Sequence, residues 1–190
     1  VADVLLVEEP GQELRFAMYA ALLSAWAGRT LPEKKKQKPL IPALLRAALK
    51  IECQACEAVQ EVAAAAEALL GDGELAGAER SRLVGEQLRR TKERWPQALA
   101  LSRVLGGARG DAVRQAFLEG RAWIQGSGLV GCWDWKPLID GKQLMSPPFS
   151  IPKGRKVGEA MDMQLQWRLE HPELTEEACA QRIHELVRSW

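Results

Sequence analysis

Few residues in this 190-residue chain are of types that do chemistry, and most stand apart. Cys53 and Cys56 form a C-x-x-C, and on a helix the two would share one face, so a shared metal is geometrically conceivable. A structural zinc needs four ligands. Cys132 and Cys179 lie far along the chain, and His171 and His184 lack ligand-like spacing. The cysteines therefore read as buried and structural, with no metal. A redox C-x-x-C belongs near a βαβ pattern, and none is present. His184-Glu185 reads as charge on an amphipathic helix. No G-x-S-x-G, Walker-type loop or G-x-G-x-x-G occurs. The six aspartates, at positions 3, 72, 111, 134, 140 and 162, include no D-x-D pair. The commonest two-metal arrangement for nucleotidyl transfer is thus absent from these residues, and no catalytic residue and no cofactor is assigned.

Anion binding is different. Asp140-Gly141 reads as a turn or cap with Lys142 at the start of a short helix. Pro152 to Gly158 is a glycine-punctuated loop running into a helix, and it carries Lys153, Arg155 and Lys156. Exposed N–H groups, the positive end of the helix dipole and three cations would converge there, which suits a phosphate. The alternative is a loop that packs two helices closely through Gly154 and Gly158. Two further basic clusters come second. One is Lys34, Lys35, Lys36 and Lys38 in a loop from Arg29 to Pro39; the other is Arg89, Arg90 and Lys92.

The elements that position these residues read as helices. Ala, Leu, Glu, Gln and Arg dominate, and no period-two run argues a sheet, so an all-α, irregular multi-helix bundle without a sheet is expected. The first helix runs from about 12 to 26, with an apolar face of Leu14, Ala17, Met18, Ala21, Leu22 and Ala25. A second, bent or in two pieces, runs from Pro42 to Leu70, before the turn Gly71-Asp72-Gly73. Others cover about 79–90, 93–105 and 111–124. After an irregular stretch, 131–151, two more span about 157–170 and 176–189, with Thr175 as N-cap. Two regions follow: a helical body, 1–130, and a C-terminal tail, 131–190.

Composition sets the outer bounds. Hydrophobic residues are 47% and charged residues 27%, the balance of a folded globular protein. No apolar run approaches the roughly 20 residues of a membrane helix. The net charge is +1, yet charge is segregated. Residues 29–50 hold seven bases and one acid, 51–79 hold seven acids and no base, and 80–114 hold nine bases and three acids. Such blocks make either solvated helix faces or a surface that tracks phosphate. Seven Trp against one Tyr suit partner-facing anchors or buried core positions equally. Four scattered cysteines argue an intracellular, reducing compartment, with mitochondrion, cytosol and nucleus all open. The chain begins at Val1 and shows no signal peptide or Arg-rich transit segment, so an N-terminal part is expected to have been removed or to be missing, and the first residues do not give the compartment.

The tail also carries a resemblance. Ile139-Asp140-Gly141-Lys142-Gln143-Leu144, then Pro152-Lys153-Gly154-Arg155-Lys156-Val157-Gly158, resembles the C-terminal motif of class II tRNA nucleotidyltransferases, the CCA-adding enzymes and their poly(A) polymerase relatives. Lys136-Pro137, Gln166-Trp167 and His171-Pro172 look most like the eukaryotic branch. The clear match covers about residues 133 to 190, and the upstream helices fit the family's body only in order and spacing. Two departures stand out: Lys153 is inserted between Pro and Gly, and Arg155 replaces a preferred proline. The family's catalytic head, with its metal-binding D-x-D, has no counterpart in these 190 residues. The resemblance therefore implies the tRNA-binding body and tail of such an enzyme, gripping acceptor stem and elbow. Its RNA contacts would be Lys142, Lys153, Gly154, Arg155, Lys156 and Gly158, then Lys34, Lys35, Lys36, Lys38, Arg89, Arg90 and Lys92. The rival reading is a non-catalytic helical subunit derived from that enzyme and recruited by protein partners into a large assembly, for instance in an organelle. A helical domain with a small-molecule pocket comes third, because the sequence shows no convergent polar set.

Overall fold

The computed structural model describes residues 12–26, 28–33, 36–107 and 110–190. Among them are nine α-helices and one two-stranded hairpin. The body holds α1 (Gln12–Leu23), β1 (Thr30–Glu33), β2 (Lys36–Pro39), α2 (Leu40–Leu49), α3 (Cys53–Ala68), α4 (Gly77–Thr91), α5 (Trp95–Leu105) and α6 (Asp111–Gly126). The tail holds α7 (Gly141–Met145), α8 (Arg155–Glu170) and α9 (Glu176–Arg188). The fold is all-α, and among the described residues no helix is long and apolar enough to cross a membrane.

Helix α5 is the centre of the body. Trp95, Gln97, Ala98, Leu99, Ala100, Leu101 and Ser102 are all buried, so it is covered on nearly every side. Pro96 sits in its first turn, where a missing N–H costs nothing. Alanine-rich α3 lies against α5 and α1, burying Val59, Val62, Ala63, Ala65 and Ala66. Helix α6 adds Val113, Phe117, Gly120 and Ile124 at helical spacing. The expected second helix is in two pieces: Lys50 turns left-handed at φ 54° and its N–H bonds Leu45 O, which ends α2 before α3 begins.

Three expectations need correction. The basic stretch from Arg29 to Pro39 is an antiparallel hairpin, not a loop, with Thr30 opposite Pro39 and Leu31 opposite Lys38. Its Thr30, Leu31, Pro32, Lys38 and Pro39 are exposed, so these positions carry no period-two apolar alternation to mark the strands. Its prolines are tolerated because both strands are edges. Second, α1 buries its small residues Ala17 and Ala20, while Met18 and Leu22 face outward at 53% and 75% exposure. Small side chains let α1 approach the alanine-rich α3, and that contact overrides the larger apolar face. Third, Cys53 is exposed; only Cys56, Cys132 and Cys179 are buried.

The tail has its own small core of Ile139, Leu144, Ile151, Ala160, Cys179 and Ile183. It joins the body through α8. Leu169 belongs to the larger core, and it passes so close to α4 that a Cβ on Gly85 would lie 2.6 Å from Leu169 Cδ2. Gly85 is thus required for close approach rather than for backbone freedom. Arg82 adds an ion pair to Glu170 at 3.7 Å across the same joint.

Candidate functional site

The short helix α7 is set by its first four residues. Asp140 Oδ1 accepts the N–H groups of Lys142 at 2.7 Å and Gln143 at 2.8 Å, and Gln143 Oε1 accepts the N–H of Asp140 at 2.8 Å. This reciprocal capping box leaves the acid and the amide occupied with backbone, and the Lys142 side chain is exposed. The start of α7 abuts the first turns of α8, because a Cβ on Gly141 would lie 3.6 Å from Val157 Cγ1 and 3.5 Å from Met161 Sδ. The backbone next to Lys142 therefore lies against the beginning of α8.

Gly154, at φ 142°, turns the chain into α8, a conformation open to glycine. No side chain caps the helix, and its first turn contains no acid. Lys153, Gly154 and Arg155 are exposed there, with Lys156 half-buried. Arg155 is 91% exposed and pairs with Glu159, Nε to Oε1, at 2.6 Å. Lys156 Nζ stands 5.0 Å above the Trp190 ring. Helix dipole and cations thus favour an anion, while Glu159 competes for Arg155. A Cβ at Gly154 or Gly158 would meet nothing within 4 Å, so tight helix packing does not account for either glycine.

The other basic clusters lie elsewhere. Lys34 and Lys35 fall outside the described residues, and Lys36 and Lys38 belong to β2, which packs on α2. Arg89 is committed in part to the fold, donating to Cys132 O at 2.6 Å, whereas Arg90 and Lys92 are exposed. The charge blocks partly neutralise one another: Arg46 lies 3.6 Å from Glu57, and Asp72 pairs with Arg80 and Arg103.

Two functional-looking centres escaped the sequence reading. Gln164, 1% exposed, donates from Nε2 to Ile139 O at 3.2 Å and accepts Ile139 N–H at 2.9 Å. It pins the segment before α7 to α8, and its signal was a polar residue at a core position of the helical register. Asp72 with its two arginines is the second; three positions so far apart give no sequence signal. Burial pushes the Cys132 thiol up to about 11 and raises Cys179, and a hydrogen bond to Glu57 raises Cys53. Among the described residues no three His, Cys, Asp or Glu side chains converge as metal ligands.

Comparison with known proteins gives one partial likeness. A stretch of 64 residues, 34% of this chain, is 33% identical to the tRNA nucleotidyltransferase cca2 of Schizosaccharomyces pombe. That stretch spans only 13% of the relative's length. No family model and no solved structure matches the chain.

Proposed function

We propose that this chain is the helical body and tail of a CCA-adding tRNA nucleotidyltransferase and that it holds tRNA through phosphate. The observation that carries the reading is the uncapped, acid-free start of α8, set beside the capping box that presents Lys142. The likeness to a tRNA nucleotidyltransferase over 64 residues points to the same substrate class. Lys142, Lys153, Arg155 and Lys156 contact the backbone, and Gly154 and Gly158 leave room for it to approach. Binding follows the shape and phosphate spacing of duplex RNA, whose deep groove side chains cannot read. The family's two-metal chemistry does not fit the residues present: the sequence has no D-x-D, and no acidic cluster forms among the described residues. Nucleotide addition would draw its carboxylates from outside these 190 residues.

A second reading, a helical subunit held by protein partners, is favoured by one feature. Met18 and Leu22, at i and i+4 on α1, face outward, and Trp26 in the 3-10 turn that follows is exposed as well. A salt titration of tRNA affinity separates the two. Arg155→Ala with Lys156→Ala should weaken binding equally for different tRNAs and lower the log–log salt slope by about one per lost contact. Identical slopes, or an affinity no greater than that of an unrelated protein of equal charge, would leave the subunit reading in front.

A further inference from the structure

The body contains a second concentration of positive charge, and here the arginine side chains are largely buried. Asp72, 1% exposed, sits in the turn between α3 and α4. Arg80 Nη2, from α4, lies 3.2 Å from its Oδ2, and Arg103 Nη1, from α5, lies 2.5 Å from its Oδ1. Two guanidinium groups thus share one carboxylate and leave an excess charge of one in a largely buried setting. Both arginines line a cleft of about 430 Å³ together with Gly73, Ala116, Glu119, Gly120 and Trp123.

The donors are not exhausted. Each guanidinium carries five N–H groups. Besides the carboxylate, Arg103 has a long contact to Leu69 O at 3.5 Å. Arg80 Nε is buried, and among the described residues no oxygen takes its proton. The Arg80 guanidinium carbon stands over the Trp123 ring, 4.0 Å from its centroid, and both residues line the cleft. Gly120 is buried in α6, and a Cβ there would lie 3.0 Å from Arg103 Nη2. The missing side chain leaves that nitrogen room at the cleft wall. Among the described residues that line the cleft the acid is Glu119, exposed and bonded by Gln115 Nε2 at 2.8 Å.

We infer that this cleft binds a phosphate group, free or terminal on a small molecule, between Arg80 and Arg103. Paired guanidinium forks on a fixed carboxylate match the planar, multidentate recognition that phosphate favours. Ala116 and the edge of Trp123 would give a larger monoester an apolar wall. The inference does not rest on tRNA binding by the tail.

The test is calorimetric titration of the full chain with inorganic phosphate and, separately, with adenosine 5′-monophosphate. One saturable equivalent is expected. Arg80→Lys keeps a charge on Asp72 but loses the fork, and should weaken binding by about tenfold or more. Glu119→Gln, an exposed change that threatens no core contact, should tighten it by about two- to fivefold. The tail variant Arg155→Ala/Lys156→Ala should leave it unchanged. Tighter binding of the monophosphate than of free phosphate would identify a monoester ligand, and equal binding a free phosphate. Absence of saturable binding, or no tightening in Glu119→Gln, would overturn the proposal and reduce Asp72, Arg80 and Arg103 to a structural tie. Loss of binding in the tail variant would overturn it as well, by moving the site to α8.

Discussion

Among the polar groups buried in body and tail, two centres differ in charge. In the body, Asp72 is buried between Arg80 and Arg103. In the tail, Gln164 uses a neutral amide to take both the N–H and the C=O of Ile139. The amide pair is closed: donor meets acceptor twice, and the remaining Oε1 capacity faces Cys179 Sγ at 3.5 Å. The ionic centre is open, since two cations face one anion and carry donors in excess. A closed neutral pair fixes a backbone segment and offers a ligand nothing. An open ionic centre costs more to bury and keeps a field into which an anion can fall. The tail's own cations are arranged the other way, on the outside of a helix start, where solvent screens them.

The comparison breaks most visibly at Asp72. Asp72→Ala should cost about 3–5 kcal/mol, because two guanidinium groups would remain buried without a counter-charge. Urea unfolding measures it; a loss under about 1 kcal/mol would mean the cluster is solvated. Gln164→Leu should cost less, about 2–4 kcal/mol, since it strands one neutral N–H and one C=O of Ile139. Hydrogen exchange should speed up around residues 137–151 while the amides of α5 stay protected. Equal loosening of α5 would show that tail and body unfold as one unit.

The joint between the regions comes next. Gly85→Ala places a methyl against Leu169 and should cost about 1–3 kcal/mol by overpacking. Adding Leu169→Ala should return part of that loss, a coupling that strictly additive effects would refute. An effect of similar size belongs to pH. The Cys132 thiol is raised from 9.0 to about 11 by burial. Above pH 9 the unfolded chain ionises this group first, so stability falls from about pH 9 to about 11, by at most about 1.4 kcal/mol per pH unit. Below pH 9 this group contributes no slope. Cys132→Ala should lower stability overall but remove this part of the alkaline decline. An unchanged difference between wild type and variant across that range would show that the thiol does not titrate late.

The sequence by itself determined most of the helices, because strong helix formers, prolines in first turns and glycine stops act within a few residues. The Thr175 cap on α9 is a local event of this kind, and Thr175 Oγ1 does accept Ala178 N–H at 3.3 Å. The D-G-K-Q turn was legible for the same reason, as its bonds lie within three residues. Tertiary structure decided what depends on partners distant in sequence. The hairpin forms although neither strand carries an apolar alternation, and α1 turns its small residues inward because α3 offers an alanine surface. Gly85 reads as an ordinary helix residue until Leu169 crosses it. Cys53 and Cys56 look alike in the sequence, yet one is exposed and the other buried, because only the second points into the core. Asp72, Arg80 and Arg103 become a charged centre only when a turn and two helices meet. Residues 8 and 31 positions away cannot be paired by local rules, and it is the packing of α4 and α5 around that turn that makes them neighbours.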